Sequence, residues 1–157
     1  MSAQWNLKIK DVEMNEIDIE NAKKALLDFM EKMNSWEINA YSLYKQENGG
    51  VEKNSEFTRN SLEEIYKLFL TQRERKTGRL ANLHASQFPE YDINLESIES
   101  YECMKNKVVL YTNKIDANIK DYITKNKYTL IKKGDSFLLD KKERYSPSNG
   151  KWVATHF

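Results

Sequence analysis

Apolar residues recur along the first half of the chain at the step of a helix. Ile19, Ala22, Leu26, Phe29, Met33, Trp36, Ala40 and Leu43 follow at intervals of three and four, which keeps one stripe on one face. The pattern predicts an amphipathic helix from Ile19, with Asp18 as its N-cap, because a carboxylate there accepts from free backbone N–H groups. Asn48-Gly49-Gly50 suits its end, and Asn34-Ser35 is a point where it could bend. The stripe spans under four heptads without an e/g charge code, so core packing explains it better than a coiled coil. A second helix is predicted from Ser61, where Ser61-Leu62-Glu63-Glu64 has the form of a capping box. Leu62, Ile65, Leu68 or Phe69, and Gln72 mark its face. Arg73, Arg75 and Lys76 suit the negative end of its dipole, and Gly78 its stop. Between the helices, residues 51–60 read as a polar, exposed loop with a short extended piece at Phe57-Thr58.

After Pro89 the period changes to two. Tyr91, Ile93 and Leu95 alternate with Asp92, Asn94 and Glu96, as in a half-buried strand. The phase then slips by one between Ile98 and Tyr101, which is the mark of a β-bulge. Met104 to Lys107 forms a turn into Val108-Val109-Leu110-Tyr111, and 113–120 is a polar connection. Asp121 to Lys133, Asp135 to Tyr145 and Lys151 to Phe157 complete the strands, joined by hairpin-type turns at Lys133-Gly134-Asp135 and Ser148-Asn149-Gly150. No helical pattern interrupts them, so an antiparallel meander is expected. Two helices followed by a bent antiparallel sheet give an α+β architecture, with the helices over one face and a concave hollow beneath.

Composition narrows the function classes. The chain has 157 residues, one cysteine and two histidines, which excludes an internal disulfide and leaves little for a metal site. The formal net charge is +1, so no global field attracts nucleic acid or an anionic membrane. The asymmetry is internal: residues 71–157 hold 16 Lys or Arg against 11 Asp or Glu, while residues 1–70 hold 9 against 13. No secretory signal and no apolar run of membrane-spanning length is visible, so a cytoplasmic location is expected. Phosphate-cradling glycine loops, nucleophile elbows and zinc-protease motifs are missing, so no cofactor is expected.

Few residues are candidates for chemistry. His84 could serve as an acid or base but reads as an ordinary loop histidine, and His156 lies next to the chain's last residue. Cys103 lies between Glu102 and Met104, a setting that does not activate a thiol, and reads as a small buried strand residue. Asp92, Glu96, Glu99 and Glu102 form an acidic run that could do acid–base work, present a negative face to a basic partner, or be a solvated strand face. The lysine-rich second half, with Tyr111, Tyr122 and Tyr128 interleaved, could bind single-stranded nucleic acid. Acidic helices in the same small chain and the lack of a glycine–aromatic RNA-binding motif argue against that.

A resemblance then covers residues 19–157. The segments Phe29-Met30-Glu31-Lys32-Met33-Asn34-Ser35-Trp36-Glu37, Pro89-Glu90-Tyr91, Tyr128 to Asp135, Asp140 to Tyr145 and Gly150-Lys151-Trp152 resemble the immunity proteins of bacterial polymorphic toxin systems that have a nuclear-transport-factor-two-like fold. The resemblance implies a cone of helices wrapped by a bent sheet, and the length of 157 residues suits one domain over 1–157 with an N-terminal arm at 1–18. It implies a chain that is not an enzyme and neutralises a cognate toxin acting in the cytosol, a nuclease for instance. The expected partner is that toxin domain, not nucleic acid or membrane, with the chain a monomer or homodimer. A basic toxin would contact Asp92, Glu96, Glu99 and Glu102. The same fold also hosts isomerases and dehydratases. The alternative is therefore a small-molecule enzyme that recruits His84 with Asp92 or Tyr128, which a cone plugged by Trp36, Phe29 and Trp152 would disfavour.

Overall fold

The computed structural model describes residues 14–46, 50–75, 78–80, 83 and 85–157, with no side chains described for 50–54. Two helices, α1 (Glu16–Tyr44) and α2 (Gly50–Phe69), precede five strands: β1 (Glu96–Met104), β2 (Lys107–Ile115), β3 (Ile123–Lys133), β4 (Ser136–Ser146) and β5 (Lys151–Thr155). The strands pair antiparallel in the order β1-β2-β3-β4-β5, the meander expected from the sequence. Gly134 and Gly150 take the positive φ that their hairpin turns require. The α+β architecture is thus as predicted.

The helix ends differ from expectation. Asn15, not Asp18, caps α1: its side chain accepts from Asp18 N at 2.8 Å while Asp18 reaches back to Asn15 N. Residues 16–18, expected in the arm, therefore open the helix, and residues 1–13 lie outside the described residues. Asp18 also pairs with Lys132 of β3 at 3.0 Å. The helix runs unbroken through Asn34-Ser35, and Asn34 uses its amide to hold Tyr91 O at 2.7 Å. It closes at Tyr44, and Gly50 belongs to α2; Asn48 and Gly49 lie outside the described residues.

The largest correction concerns α2. Residues 51–60 are helical, and Ser61 sits in mid-helix with its hydroxyl bonded back to Phe57 O and Thr58 O. A Ser can satisfy itself this way as readily as it caps. The buried face is Thr58, Leu62, Tyr66 and then Leu70, while Leu68 is exposed and Ile65 and Phe69 are only partly covered. The helix stops at Phe69, short of Arg73 and Arg75; Lys76 lies outside the described residues. Leu70 instead bridges to Leu139, and Thr71 N donates to Leu139 O at 2.9 Å.

Residues 93–95 form a turn, so β1 starts later than its alternation suggested. The predicted bulge is present, with Glu99 out of register between Ile98 and Ser100. A second bulge leaves Asp140 unpaired in β4. Asp140 is thereby free to bind Thr71 Oγ1 at 2.7 Å and Arg73, which anchors the chain leaving α2. The stripe of α1, with Leu62, Tyr66 and Leu70, packs on Val108, Leu110, Tyr128, Leu130 and Leu139. That burial supplies the main driving force of the fold. Phe29 lies at its centre, edge-on to Tyr91 (5.3 Å), Phe157 (5.7 Å) and Phe69 (5.9 Å).

Candidate functional site

The four acidic residues of the expected contact face do not share a surface. Asp92 caps its own turn, accepting from Asn94 N at 2.9 Å. Glu96 is 4% exposed and points inward, accepting from Thr112 Oγ1 (2.6 Å), Tyr128 Oη (2.9 Å) and Asn126 Nδ2 (3.2 Å). Three donors around one buried carboxylate make it a hub that ties β1, β2 and β3 together. Glu99 and Glu102 are exposed, bonded to Ser97 Oγ and Tyr111 Oη respectively.

A second buried polar cluster joins α1 to the sheet. Glu37, 2% exposed, accepts from Arg79 Nη2 (2.5 Å), Glu90 N (2.9 Å) and Tyr91 N (3.1 Å). Arg79 also reaches Glu90 (2.6 Å), while its guanidinium lies over the rings of Trp36 and Tyr91. Lys142, buried on β4, donates to Glu90 (3.0 Å) and Tyr91 Oη (3.1 Å). Burial pushes the Glu90 carboxyl up, but Lys142 and Arg79 outweigh it and hold the group at about 2. Desolvation lowers Lys142 and raises the phenols of Tyr91 and Tyr128 well above their ordinary range. Glu37, Glu90 and Glu96 are therefore all engaged by donors, as charges buried for structure must be.

Both residues expected to partner His84 in the enzyme alternative already have hydrogen-bond partners. Tyr128 commits its hydroxyl to Glu96, Asp92 caps its turn, and His84 lies outside the described residues. Phe29 and Trp36 are in the core as expected of a plug, but Trp152 is not. Cys103 is exposed, contrary to the buried reading; partial desolvation and then Asp18 raise its thiol pKa, so it is not an activated thiolate. No group of three or more His, Cys, Asp or Glu that could hold a metal occurs among the described residues. Nor, among them, is any helix long and apolar enough to cross a membrane.

The outer face of the sheet carries what the sequence reading missed. Strand alternation turns Tyr111, Lys127, Glu143 and Tyr145 away from the helices, with Trp152 opposite Tyr145. Trp152 meets Tyr145 at 5.3 Å and Tyr111 at 5.6 Å between ring centroids. Lys127 Nζ lies 5.8 Å from the centroids of both Tyr111 and Trp152 and 4.0 Å from Glu143. Partial burial and then the bond to Glu102 push the Tyr111 phenol up to about 12. The interleaved tyrosines do not line up: Tyr128 points inward and Tyr122 sits exposed before β3. The signal for the aromatic cluster was the Ser148-Asn149-Gly150 turn, whose hairpin register sets Tyr145 beside Trp152. At one end this face meets an open cleft of about 440 Å³ whose lining includes Arg73, Arg75 and Lys141 together with Glu74 and Asp140.

Known proteins supply the remaining information. Residues 21–156 match the family described as NTF2 fold immunity protein. The chain is 36% identical over 136 residues to "Immunity protein RhsIA" of Dickeya dadantii (strain 3937), covering 87% of this chain and 96% of that one. No solved structure matches. A helix-backed five-stranded antiparallel meander agrees with that likeness, and the chain belongs to the family of NTF2 fold immunity proteins.

Proposed function

We propose that this chain protects its cell by binding a cognate toxin that acts in the cytosol, and that it does so by occlusion, without performing a reaction. The observation that carries this reading is the space between helices and sheet, where Glu37, Glu90 and Glu96 each bind fixed protein donors around a packed aromatic centre. An enzyme of this architecture needs an acid or base poised toward substrate, whereas an inhibitor needs a rigid outer shape. The immunity function named for its relative supports the same reading. Tight inhibition calls for about 800 Å² of contact on this partner. Of the acidic run, Glu99 and Glu102 are exposed while Glu96 serves the sheet.

The test is co-expression with the product of the gene immediately upstream. Growth should be restored, and a one-to-one complex should co-purify and pass intact through light scattering. A chain that neither protects nor co-purifies would overturn the reading. So would metabolite turnover by the purified chain that a Glu96→Gln or Lys142→Met change abolishes.

A further inference from the structure

We propose that the toxin docks on the outer face of the sheet around Trp152, and that the surface it presents is acidic. This rests on the reading that the chain acts by binding a toxin; it adds where, and against what chemistry. Trp152, Tyr145 and Tyr111 hold one another through ring contacts across β2 to β5. Rings already fixed this way lose little freedom on binding, and Trp and Tyr are the residue types in which binding energy concentrates. The helices occupy the opposite face, so these rings are only partly covered.

Charge identifies the occupant. Besides Lys127, the register sets Lys125 beside Asn113 and Lys141 beside Thr129 on this same face, both exposed. Against these three stand Glu143, paired with Lys127, and Glu102, bonded to Tyr111. Lys141 and Ala154 carry the surface into the cleft, where Arg75 adds positive charge beside Glu74 and the Arg73–Asp140 pair. Four strand spacings by nine residues span roughly 19 by 30 Å, a footprint of the order a standard interface needs. An acidic toxin surface would seat carboxylates on Lys125, Lys141 and Arg75, and an apolar side chain against Trp152.

Calorimetric titration of the full chain with an inactivated form of the upstream gene's C-terminal toxin domain tests this. Trp152→Ala should weaken binding at least about 30-fold. Lys125→Glu combined with Lys141→Glu should weaken it at least about tenfold and flatten its salt dependence. Glu99→Lys combined with Glu102→Lys should leave it unchanged or tighten it. Unchanged affinity in the first two variants, or a loss confined to the third, would overturn the proposal. If Trp152→Ala melts below the assay temperature, the two exposed lysines decide alone. A wild-type chain that fails to bind the toxin removes the functional reading itself, whereas binding that ignores these variants removes only the docking face. A single-stranded oligonucleotide held through Trp152 and the lysines, with no competition from the toxin, would also overturn it.

Discussion

The two faces of the sheet use the same residue types for opposite ends. On the inner face, Lys142, Glu90 and Tyr91 form a closed set of contacts, as do Tyr128 and Glu96. On the outer face Lys127, Glu143, Tyr111 and Trp152 also touch, but they keep partial access to solvent. A charged or phenolic group on the inside serves shape, because leaving it unpaired there costs several kcal/mol. On the outside the same group can exchange its neighbour for a partner's at little cost.

Substitutions should separate the two faces, the inner ones most strongly. Glu37→Ala removes the acceptor of Arg79 and of two backbone N–H groups, so it should cost about 3–5 kcal/mol and lower Tm by roughly 10 °C in a thermal melt. Acid should act next. Glu90 titrates at about 2 when folded against a reference near 4.5, so its contribution is complete above 4.5 and disappears as pH falls from there toward 2. The loss should amount to roughly 2–3 kcal/mol, and denaturant melts between pH 5 and 2.5 should show the decline; Glu90→Gln should flatten it.

Trp152→Ala removes two ring contacts from a partly open site and should cost about 1–2 kcal/mol, less than the inner change. A loss equal to that of Glu37→Ala would erase the distinction between faces. Asn15→Ala, which unmakes the cap of α1, should cost about 1 kcal/mol in the same melts. The finest effect is spectroscopic: Glu102→Gln should bring the Tyr111 phenol down from about 12, visible in an ultraviolet titration, with little change in Tm.

The elements whose periodicity reports burial directly were legible in the sequence. Seven of the eight stripe residues of α1, all but Leu43, are buried, and the one-residue slip in β1 is a real bulge. What misled was local chemistry with two uses. Asn15 and Asp18 both suit a cap, and Ser61 suits a cap or a back-bond within a helix, so tertiary contacts such as Trp36 Nε1 to Thr58 O decide. The acidic run could not be resolved from sequence for a related reason. The bulge at Glu99 shifts the alternation, which sends Glu96 inward and leaves Glu102 out. Trp152 was legible as a residue but not as a centre, because its neighbours come from strands up to 41 positions away in the chain.

The shape of β1 has one more consequence. Among the described residues it is a border strand, and such a strand would otherwise offer a nine-residue template for another chain. The kink at Glu99 interrupts that row of hydrogen-bonding groups, and the outward charges of Glu99 and Glu102 repel a second copy laid alongside. A border interrupted in this way offers a second copy a shorter run of groups to pair with.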